Sequence, residues 1–480
     1  MAEPQFSSAA QAAFAAEPLQ GLTKGLGLVQ GQGGQGHVSV AAGLNSLANP
    51  SEPDPSGPAP ATGQVLMRDV ASLGWDILRE DVSLPVAVLR EARIEHNLLW
   101  MQAFIDRYGV KLAPHGKTTM SPALFQRQLA HGAWGITLAT APQVQAAFAY
   151  GVRRVIMANQ LVGRGNMAII AALQKEDAAF EFSCIVDSVA NVQALGAYFQ
   201  ACGQRLRVLI EYGVPGGRTG VRDEAQEQAV LEAIRQWPTS LALVGVELYE
   251  GVLKEEADIR AFLQRVRASA ARIGAAGGFA QPVPILTGAG SAWYDVVAEE
   301  FTSNDASHAF DVILRPGCYL THDVGAYREA NDRIQANNPV AREMRRSLLP
   351  ALQVWAYVQS LPEPGKAIIA LGKRDAAFDA GFPEASLHFR PQGPHGSADA
   401  DANVNANTAT HAPQAASPDW RITAMMDQHA FMSIPEVTDL QVGDMIAFDI
   451  SHPCLTFDKW RQLLLVDEAY RVTGIVSTFF

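Results

Sequence analysis

The 480-residue sequence is poor in cysteine, in positive charge and in long apolar runs, and each shortage excludes a class of protein. Its four cysteines are scattered, which indicates reduced thiols rather than a disulfide framework. With 37 Lys and Arg against 49 Asp and Glu, the formal net charge of −12 argues against a nucleic-acid partner, because phosphate binding needs a concentrated basic face. No run of about 18 apolar residues is present, so no membrane span is predicted.

The N-terminus also lacks the features of an export signal. Residues Met1–Gln11 contain neither a basic segment nor a continuous apolar segment. At the same time, 48% of the residues are hydrophobic, which is ample for a packed core. We therefore expect a soluble, cytoplasmic protein, and its size and composition favour an enzyme.

Two segments have a biased composition that does not support a core. Residues 1–62 are rich in Gly, Ala, Ser and Pro and are predicted to form a flexible tail. Residues 391–418 contain one Val and no other large aliphatic residue, so we predict a disordered surface insertion there. His395 and His411 within it could bind a metal, although solvated loop histidines are far commoner.

Between these segments, short aliphatic runs alternate with longer helical patterns. This alternation predicts parallel strands joined by crossover helices, and eight such units in about 210 residues match a (β/α)8 barrel. A doubly wound parallel sheet is the alternative. The predicted strands are Val110–Ala113, Gly135–Ala139, Val155–Ala158, Phe180–Val186, Arg207–Glu211, Leu243–Leu248, Val283–Leu286 and Asp311–Leu314.

The pattern of predicted elements changes after Leu320. No helix-rich alternation continues, and several runs such as Met445–Asp449 have the composition of strands. We therefore predict a barrel domain over residues 84–334 and a mainly β domain over residues 335–480, the latter containing the insertion.

In a barrel, the residues that follow each strand line the active site. Polar and small residues are concentrated at these positions. They are His115 and Lys117 after the first strand, Asn159 after the third, Asp187 after the fourth, Gly216–Gly220 with Arg218 after the fifth, Tyr249-Glu-Gly251 after the sixth, Thr287–Ser291 after the seventh and Arg315–Tyr319 after the eighth.

Each of these groups allows an ordinary interpretation and a functional one. Lys117 could be a solvated rim residue, but its small polar neighbours are also typical of a lysine whose lowered pKa lets it form a Schiff base. Thr287–Ser291 could be only a tight turn. Because a helical pattern follows it, its backbone N–H groups could also hold a phosphate.

A third group lies in the predicted β domain. His452 and Cys454 follow the strand Met445–Asp449, and residues two apart on an extended backbone face the same side, so the two side chains could bind one metal ion. A buried cysteine beside a structural histidine is the alternative. Asp427-Gln-His429 lies upstream in the same domain and is a further candidate for the active site.

Five of these motifs, in this order, resemble those of the D-serine dehydratase-like family. They are Pro114-His-Gly-Lys-Thr118, Gly288–Ser291, Arg315-Pro-Gly-Cys-Tyr319, Asp427-Gln-His429 and His452-Pro-Cys454. The resemblance extends over about residues 84–480. Members of this family are pyridoxal 5′-phosphate (PLP) enzymes with an alanine racemase-like fold, and the wider group includes D-threonine aldolases.

The resemblance implies a role for each candidate residue. Lys117 would carry PLP, with His115 and His429 as further catalytic residues. Arg218, Tyr249 and Tyr319 would line the cofactor pocket, and Gly288, Gly290 and Ser291 would hold the phosphate. His452 and Cys454 would bind zinc or another divalent metal, and the enzyme would be a homodimer that acts on a small D-amino acid.

Two departures from the family pattern concern the substrate. Thr119-Met120 and Tyr249-Glu-Gly251 lack a lysine and two histidines that members often carry. The His-x-Cys pair resembles that of dehydratases, whereas D-threonine aldolases have His-x-Asp. We therefore expect a dehydratase or deaminase that converts D-serine, D-threonine or a similar β-hydroxy amino acid to a 2-oxo acid and ammonia. The alternatives are retro-aldol cleavage, racemisation and a non-catalytic PLP carrier.

Overall fold

The computed structural model of the chain describes residues 67–303, 310–391 and 412–480. The predicted flexible tail at 1–62 lies outside these ranges, and so do His395 and His411 of the predicted insertion. Across the described ranges, every helix is too short or too polar to traverse a lipid bilayer.

The N-terminal part of the fold begins with strand β1 (Val86–Arg90) and helix α1 (Glu91–Tyr108), after which eight strands alternate with helices. The strands are β2 (Lys111–Leu112), β3 (Ile136–Leu138), β4 (Arg154–Gln160), β5 (Glu181–Val186), β6 (Leu206–Tyr212), β7 (Leu241–Leu248), β8 (Ile285–Gly288) and β9 (Asp311–Leu314). The helices between them are α2 (Pro122–Ala130), α3 (Ala141–Ala149), α4 (Arg164–Glu176), α5 (Val189–Ala201), α6 (Glu224–Arg235), α7 (Glu256–Ala275) and α8 (Tyr294–Thr302).

The eight strands β2–β9 form one parallel sheet that curls into a barrel. Each strand pairs with its neighbour in sequence from β3 to β9, and β9 pairs with β2. The remaining edge closes through backbone bonds, from the Trp134 N–H to the Leu112 carbonyl at 2.7 Å and from the Thr137 N–H to the Pro114 carbonyl at 2.9 Å. The predicted (β/α)8 barrel is thus confirmed, and the doubly wound alternative is wrong.

The barrel strands are buried on both faces, as expected for parallel strands covered by helices. All eight residues of β7 are buried. Inward-facing aliphatic side chains fill the barrel, and they include Ile156, Ile185, Leu209 and Ile313. Because both faces are apolar, the strands appear in the sequence as continuous aliphatic runs.

The C-terminal domain is a ten-stranded sheet that includes β1. Its other strands are β10 (Leu352–Glu363), β11 (Lys366–Ile369), β12 (Glu384–Phe389), β13 (Gln414–Ala415), β14 (Arg421–Met425), β15 (Ala430–Ser433), β16 (Met445–Asp449), β17 (Gln462–Val466) and β18 (Val472–Ser477). Two helices, α9 (Ala326–Asn337) and α10 (Pro339–Met344), connect it to the barrel, and the short helix α11 (Cys454–Phe457) lies between β16 and β17.

Two predicted boundaries differ from the structure. Strand β1 pairs with β10 and β17, so residues 86–90 belong to the C-terminal sheet and not to the barrel domain predicted at 84–334. Strand β13 pairs with β12, so the last part of the predicted 391–418 insertion is an edge strand of that sheet. Strands β10 and β17 are far from β1 in the sequence, and the insertion separates β12 from β13. A pattern of neighbouring residues therefore does not reveal these pairings.

The C-terminal domain lies against the carboxyl ends of the barrel strands. The Val324 N–H donates to the Ile450 carbonyl at 3.0 Å, and the Phe479 N–H donates to the Met120 carbonyl at 2.8 Å. Met120 follows the turn that carries Lys117. The domain contact therefore brings residues of both domains to the end of the barrel where the candidate site residues lie.

Candidate active site

Lys117 lies on a short 3-10 turn, Gly116–Thr118, just after the first barrel strand. The turn packs so closely against the loop after β9 that only glycine fits at Gly317. A Cβ atom there would lie 2.6 Å from the His115 carbonyl oxygen and 2.7 Å from Thr118 Oγ1. Lys117 itself is exposed in the single chain.

His115 precedes this turn among positively charged side chains. The pKa of its imidazole lies well below 6.5, because burial and then the charges of Lys117, Arg315 and Arg218 disfavour the imidazolium form. Its Nδ1 is buried and has no hydrogen-bond partner among the described residues. These surroundings favour a neutral imidazole beside Lys117.

A buried ion pair lies at the carboxyl ends of β7 and β9. The Arg315 guanidinium pairs with Glu247, and both side chains are almost wholly buried. Arg315 also donates to the Leu248 carbonyl at 2.9 Å, whereas its Nε is buried without a partner in the part of the chain that the structure describes. The guanidinium is thus fixed in place and retains a free donor.

Glu211 lies beside Glu247, because the register pairs these two residues across β6 and β7. Thr219 donates to Glu211 at 2.6 Å and Gln160 donates to it at 2.5 Å. Burial, and then repulsion by Glu247, raises the pKa of Glu211 to about 7. The carboxyl group, near the carboxyl end of β6, therefore anchors Thr219, which is next to Arg218.

Arg218 and Tyr249 lie together above this carboxyl group. The Arg218 guanidinium lies 5.1 Å from the centre of the Tyr249 ring, and both residues line a small pocket that also contacts Glu211 and Val252. Tyr319 is buried and lines a second cavity beside Ser291, with its hydroxyl accepting from Gln128 at 3.1 Å.

The loop Thr287–Ser291 is already bonded within the protein. The N–H groups of Ala289 and Gly290 donate to the Glu250 carboxylate at 3.1 and 2.7 Å. Ser291 Oγ accepts the N–H groups of Gly317 and Cys318 at 3.1 and 3.0 Å. The loop after β8 is therefore tied to the loops after β7 and β9.

The pair His452 and Cys454 does not lie on an extended backbone, contrary to our expectation. Pro453 has helical dihedral angles, φ −59° and ψ −45°, and Cys454 begins α11. The two side chains nevertheless lie close enough that each shifts the pKa of the other. His452 Nδ1 lies 2.8 Å from Asp379 Oδ2, which fixes the ring and leaves Nε2 directed away from that carboxylate.

Cys454 connects this pair to the turn that carries Lys117. Its Sγ lies 3.4 Å from Thr118 Oγ1 and 3.6 Å from Cys318 Sγ. The pKa of Cys454 is lowered, first by its contact with Cys318 and then by those with His452 and Thr118. The interaction with Cys454 correspondingly raises the pKa of His452 to about 9. This arrangement favours a thiolate beside an imidazolium.

The structure does not unite all predicted site residues. His429 lies exposed on the turn between β14 and β15, and its backbone carbonyl accepts the Met426 N–H at 2.8 Å. Asn159 lies within β4 and donates to the Ala139 carbonyl, and Asp187 accepts the Gly220 N–H at 3.0 Å. These contacts do not link any of the three residues to Lys117 within the described part of the chain.

Sequence reasoning missed several residues that complete the site. Cys318 lies inside a motif that was identified, but nothing in the sequence placed its sulfur beside Cys454. Asp379 has no motif signal, because it is 73 residues from His452. Glu250 appeared only as part of Tyr249-Glu-Gly251, and a buried carboxylate that accepts two backbone N–H groups was not predicted.

Two family models and several known proteins match the sequence of this chain. Residues 89–323 match the family model "Alanine racemase, N-terminal domain", and residues 351–466 match "Putative serine dehydratase domain". A D-threonine aldolase from Arthrobacter sp. is 29% identical over 309 residues, which are 63% of this chain and 75% of that protein. A D-threo-3-hydroxyaspartate dehydratase from Delftia sp. (strain HT23) is 36% identical over 137 residues, 28% of this chain and 35% of that protein.

Solved structures show the same fold. D-Threonine aldolase from Filomicrobium marinum superposes with a TM-score of 0.66 at 22% identity, covering 84% of this chain and 97% of the other. The Delftia dehydratase gives a TM-score of 0.63 at 21% identity, covering 84% and 99%. A variant of a D-threo-3-hydroxyaspartate dehydratase has also been solved in a metal-free form. At these identities, the superpositions establish the fold alone.

The raised pKa of Glu211 makes a testable contribution to stability. Its pKa rises from 4.5 to about 7 on folding, so this contribution is complete below about pH 4.5 and is lost as the pH rises through 7. Between pH 5 and 8, we expect the wild-type free energy of unfolding to fall by up to about 3 kcal/mol more than that of Glu211→Gln, measured by denaturant titration. The exposed Glu232→Gln is the control, and equal pH dependence in Glu211→Gln would contradict the assignment.

Proposed function

The chain belongs to the family that joins an alanine racemase N-terminal domain to a putative serine dehydratase domain, and from this premise we propose that it is a PLP- and metal-dependent D-amino acid dehydratase. It would convert a D-β-hydroxy amino acid to a 2-oxo acid and ammonia. The observation that carries the proposal is the 3.4 Å contact between Cys454 Sγ and Thr118 Oγ1. It unites the predicted metal pair with the turn of Lys117.

The residues at the end of the barrel fit PLP. Lys117 is an exposed amine at the end of the barrel, where two buried nitrogen atoms, His115 Nδ1 and Arg315 Nε, have no hydrogen-bond partner within the described residues. Gly290 lies so close to the Tyr249 ring that a Cβ atom there would be 3.0 Å from Tyr249 Cε2, which is typical of a loop shaped for close approach. When bound, PLP supplies an electron sink for the substrate α-carbon.

The residues of the chain would then perform the proton transfers. Lys117 would hold the cofactor, and its amine would accept the substrate α-proton. His115, whose neutral form is favoured by burial and its cationic neighbours, would lie beside Lys117 as an uncharged hydrogen-bonding group. The Arg218 guanidinium and the Tyr249 ring lie against each other beside the pocket. They would restrict the orientation of a planar group bound there.

The donor set of the C-terminal domain fits a divalent metal such as zinc. Imidazole and thiolate are zinc ligands, and a carboxylate that holds Nδ1 of a ligating histidine is a common second partner, here Asp379. Within the described ranges, no group of three or more His, Cys, Asp or Glu side chains is arranged to hold a metal. His452 and Cys454 would therefore leave coordination positions open to water and to a substrate hydroxyl, which the metal would polarise as a Lewis acid.

Retro-aldol cleavage is the second candidate, because the Arthrobacter relative is a D-threonine aldolase. The resemblance of His452-Pro-Cys454 to the dehydratase pair favours elimination. Which D-amino acid is preferred is decided by the pocket around Arg218 and Tyr249, where this chain departs from the family pattern.

We also propose that the enzyme is a homodimer in the cytoplasm. Lys117, Arg218 and His429 are all exposed in the single chain, whereas chemistry at a Schiff base needs a site that excludes water. Exposed apolar residues flank the site residues in sequence, namely Phe378, Met426 and Leu455. Four free thiols favour a reducing compartment.

Lys117→Ala is expected to abolish covalent cofactor attachment. After borohydride reduction, the wild type should yield a PLP-labelled peptide that contains Lys117, whereas the variant should yield none and lose turnover by at least about 10²–10⁴-fold. Lys111→Ala is the matched control, since Lys111 pairs with Asp311 on the barrel. A labelled peptide elsewhere in Lys117→Ala would show that the attachment site is wrong.

Removal of the metal is expected to stop ammonia release while PLP stays bound. His452→Ala and Cys454→Ala should lower metal content and turnover together, and Asp379→Asn should weaken metal binding by about 10–100-fold. Metal content is measured by atomic emission and PLP by absorbance. The exposed Cys202→Ser is the control. Full turnover by metal-free protein would eliminate the Lewis-acid role.

The reaction type is decided by its products. A single base, Lys117, would reach the substrate α-carbon from one side, so removal of the α-proton should be stereoselective. D-Serine, D-threonine or 3-hydroxy-D-aspartate should give a 2-oxo acid and ammonia in equal amounts, with the L-isomers much slower. Glycine and an aldehyde without ammonia would establish the aldolase instead, and equal rates on both enantiomers would contradict the stereochemical argument.

The proposed dimer is tested by sedimentation equilibrium. The mass should be twice 51.5 kDa, and Phe378→Asp with Met426→Asp should shift the protein toward a monomer with lower turnover. Val437→Asp is the control, because Val437 is more exposed than either residue. A fully active wild-type monomer would show that each site is complete within one chain.

A further inference from the structure

Glu250 is a buried carboxylate that the proposed chemistry does not use. It begins the short turn Glu250–Val252 directly after β7 and is completely shielded from solvent. Its Oε2 accepts the Ala289 N–H at 3.1 Å and its Oε1 accepts the Gly290 N–H at 2.7 Å. Burial raises its pKa, and these two bonds and the charge of Arg315 oppose that rise. A buried carboxylate is retained only where its bonds compensate for lost hydration.

The backbone that Glu250 holds is strained. Ala289 has a φ of +77°, in the left-handed region that residues with a Cβ atom rarely adopt. Gly290, the next residue, packs against Tyr249, and a Cβ atom there would lie 3.5 Å from Glu250 Oε1. Without an acceptor for its N–H, Ala289 would favour a conformation with negative φ, and the loop would change shape.

We propose that Glu250 is a positioning residue that holds Ala289 and Gly290 in the conformation from which the loop binds the cofactor phosphate. This inference rests on the proposed PLP function. It also revises one expectation, because the Gly290 N–H that was assigned to the phosphate is already bonded to Glu250. The phosphate would therefore find its donors among groups that are not already bonded, such as the Ser291 hydroxyl proton, and Glu250 would act on it only through the backbone shape.

The main alternative is that the carboxylate occupies the phosphate position itself. Two consecutive N–H groups directed at one carboxylate form an anion site, and an incoming phosphate could displace Glu250. The two arrangements predict opposite effects of removing the carboxylate. A positioning role requires weaker phosphate binding in its absence, whereas a competing role requires tighter binding.

The test compares PLP with pyridoxal, which lacks the phosphate. Apoprotein is titrated with each, and binding is followed by absorbance. Glu250→Ala should weaken PLP binding at least about tenfold and change pyridoxal binding less than about twofold. A general loss of structure would weaken both, so the comparison separates positioning from misfolding. Glu232→Ala, on an exposed face of α6, is the control.

Ala289→Gly provides a rescue experiment. Glycine adopts positive φ without strain, so it should reduce the dependence of the loop on Glu250. In the Glu250→Ala background, Ala289→Gly should restore several-fold of the lost PLP affinity. Hydrogen exchange adds a readout without ligand, because the Ala289 and Gly290 amides should lose protection in Glu250→Ala while Leu286 in β8 keeps it.

The outcomes separate the two proposals. Unchanged PLP affinity in Glu250→Ala, or tighter binding of PLP or inorganic phosphate, would overturn the positioning role and leave the proposed enzyme intact. Absence of PLP uptake by the wild type would overturn the proposed function, and the positioning role with it. Differential loss of PLP affinity with rescue by Ala289→Gly supports both.

Discussion

The contact of Gly317 with the turn that carries Lys117 is the constraint on which the rest of the site depends. No Cβ atom fits there, since it would lie 2.6 Å from the His115 carbonyl oxygen. The loops after the first and last barrel strands therefore lie in direct contact, and Cys318, the next residue, is carried to within 3.9 Å of Thr118 and 3.6 Å of Cys454. Barrel closure, the lysine turn and the C-terminal pair meet at this point.

The buried charged side chains at this end of the barrel are also stabilised by the groups that meet there. Lys117, Arg218 and Arg315 lower the pKa of His115 together with its burial. The buried carboxylates Glu211, Glu247 and Glu250 lie at the ends of the adjacent strands β6 and β7. Glu247 neutralises Arg315, Glu211 anchors the loop of Arg218 through Thr219, and Glu250 anchors the glycine loop. Each carboxylate thus fixes the backbone or side chain of a residue that faces the site.

The elements of the barrel could be predicted because their signal is local. The predicted strand Asp311–Leu314 coincides with β9, and the predicted Met445–Asp449 coincides with β16. The predicted strand Phe180–Val186 begins one residue before β5 and ends at the same residue. A strand that is buried on both faces appears in the sequence as a run of aliphatic residues, and a helix on the barrel surface appears as a periodic spacing of apolar residues. Both patterns can be recognised without knowing which element packs against the strand or helix.

The sequence by itself determined the strand–helix alternation of the barrel and the presence of reactive residues at the carboxyl ends of its strands, because both depend on residues close together in the chain. The tertiary structure decided which of them meet. The partners of the decisive contacts are separated by 39 residues for Glu250 and Ala289, 73 for Asp379 and His452, and 136 for Cys318 and Cys454. It also decided that Pro453 is helical and that β1 lies in the C-terminal sheet. Such contacts depend on how the two domains pack, and no periodicity of the chain encodes that packing.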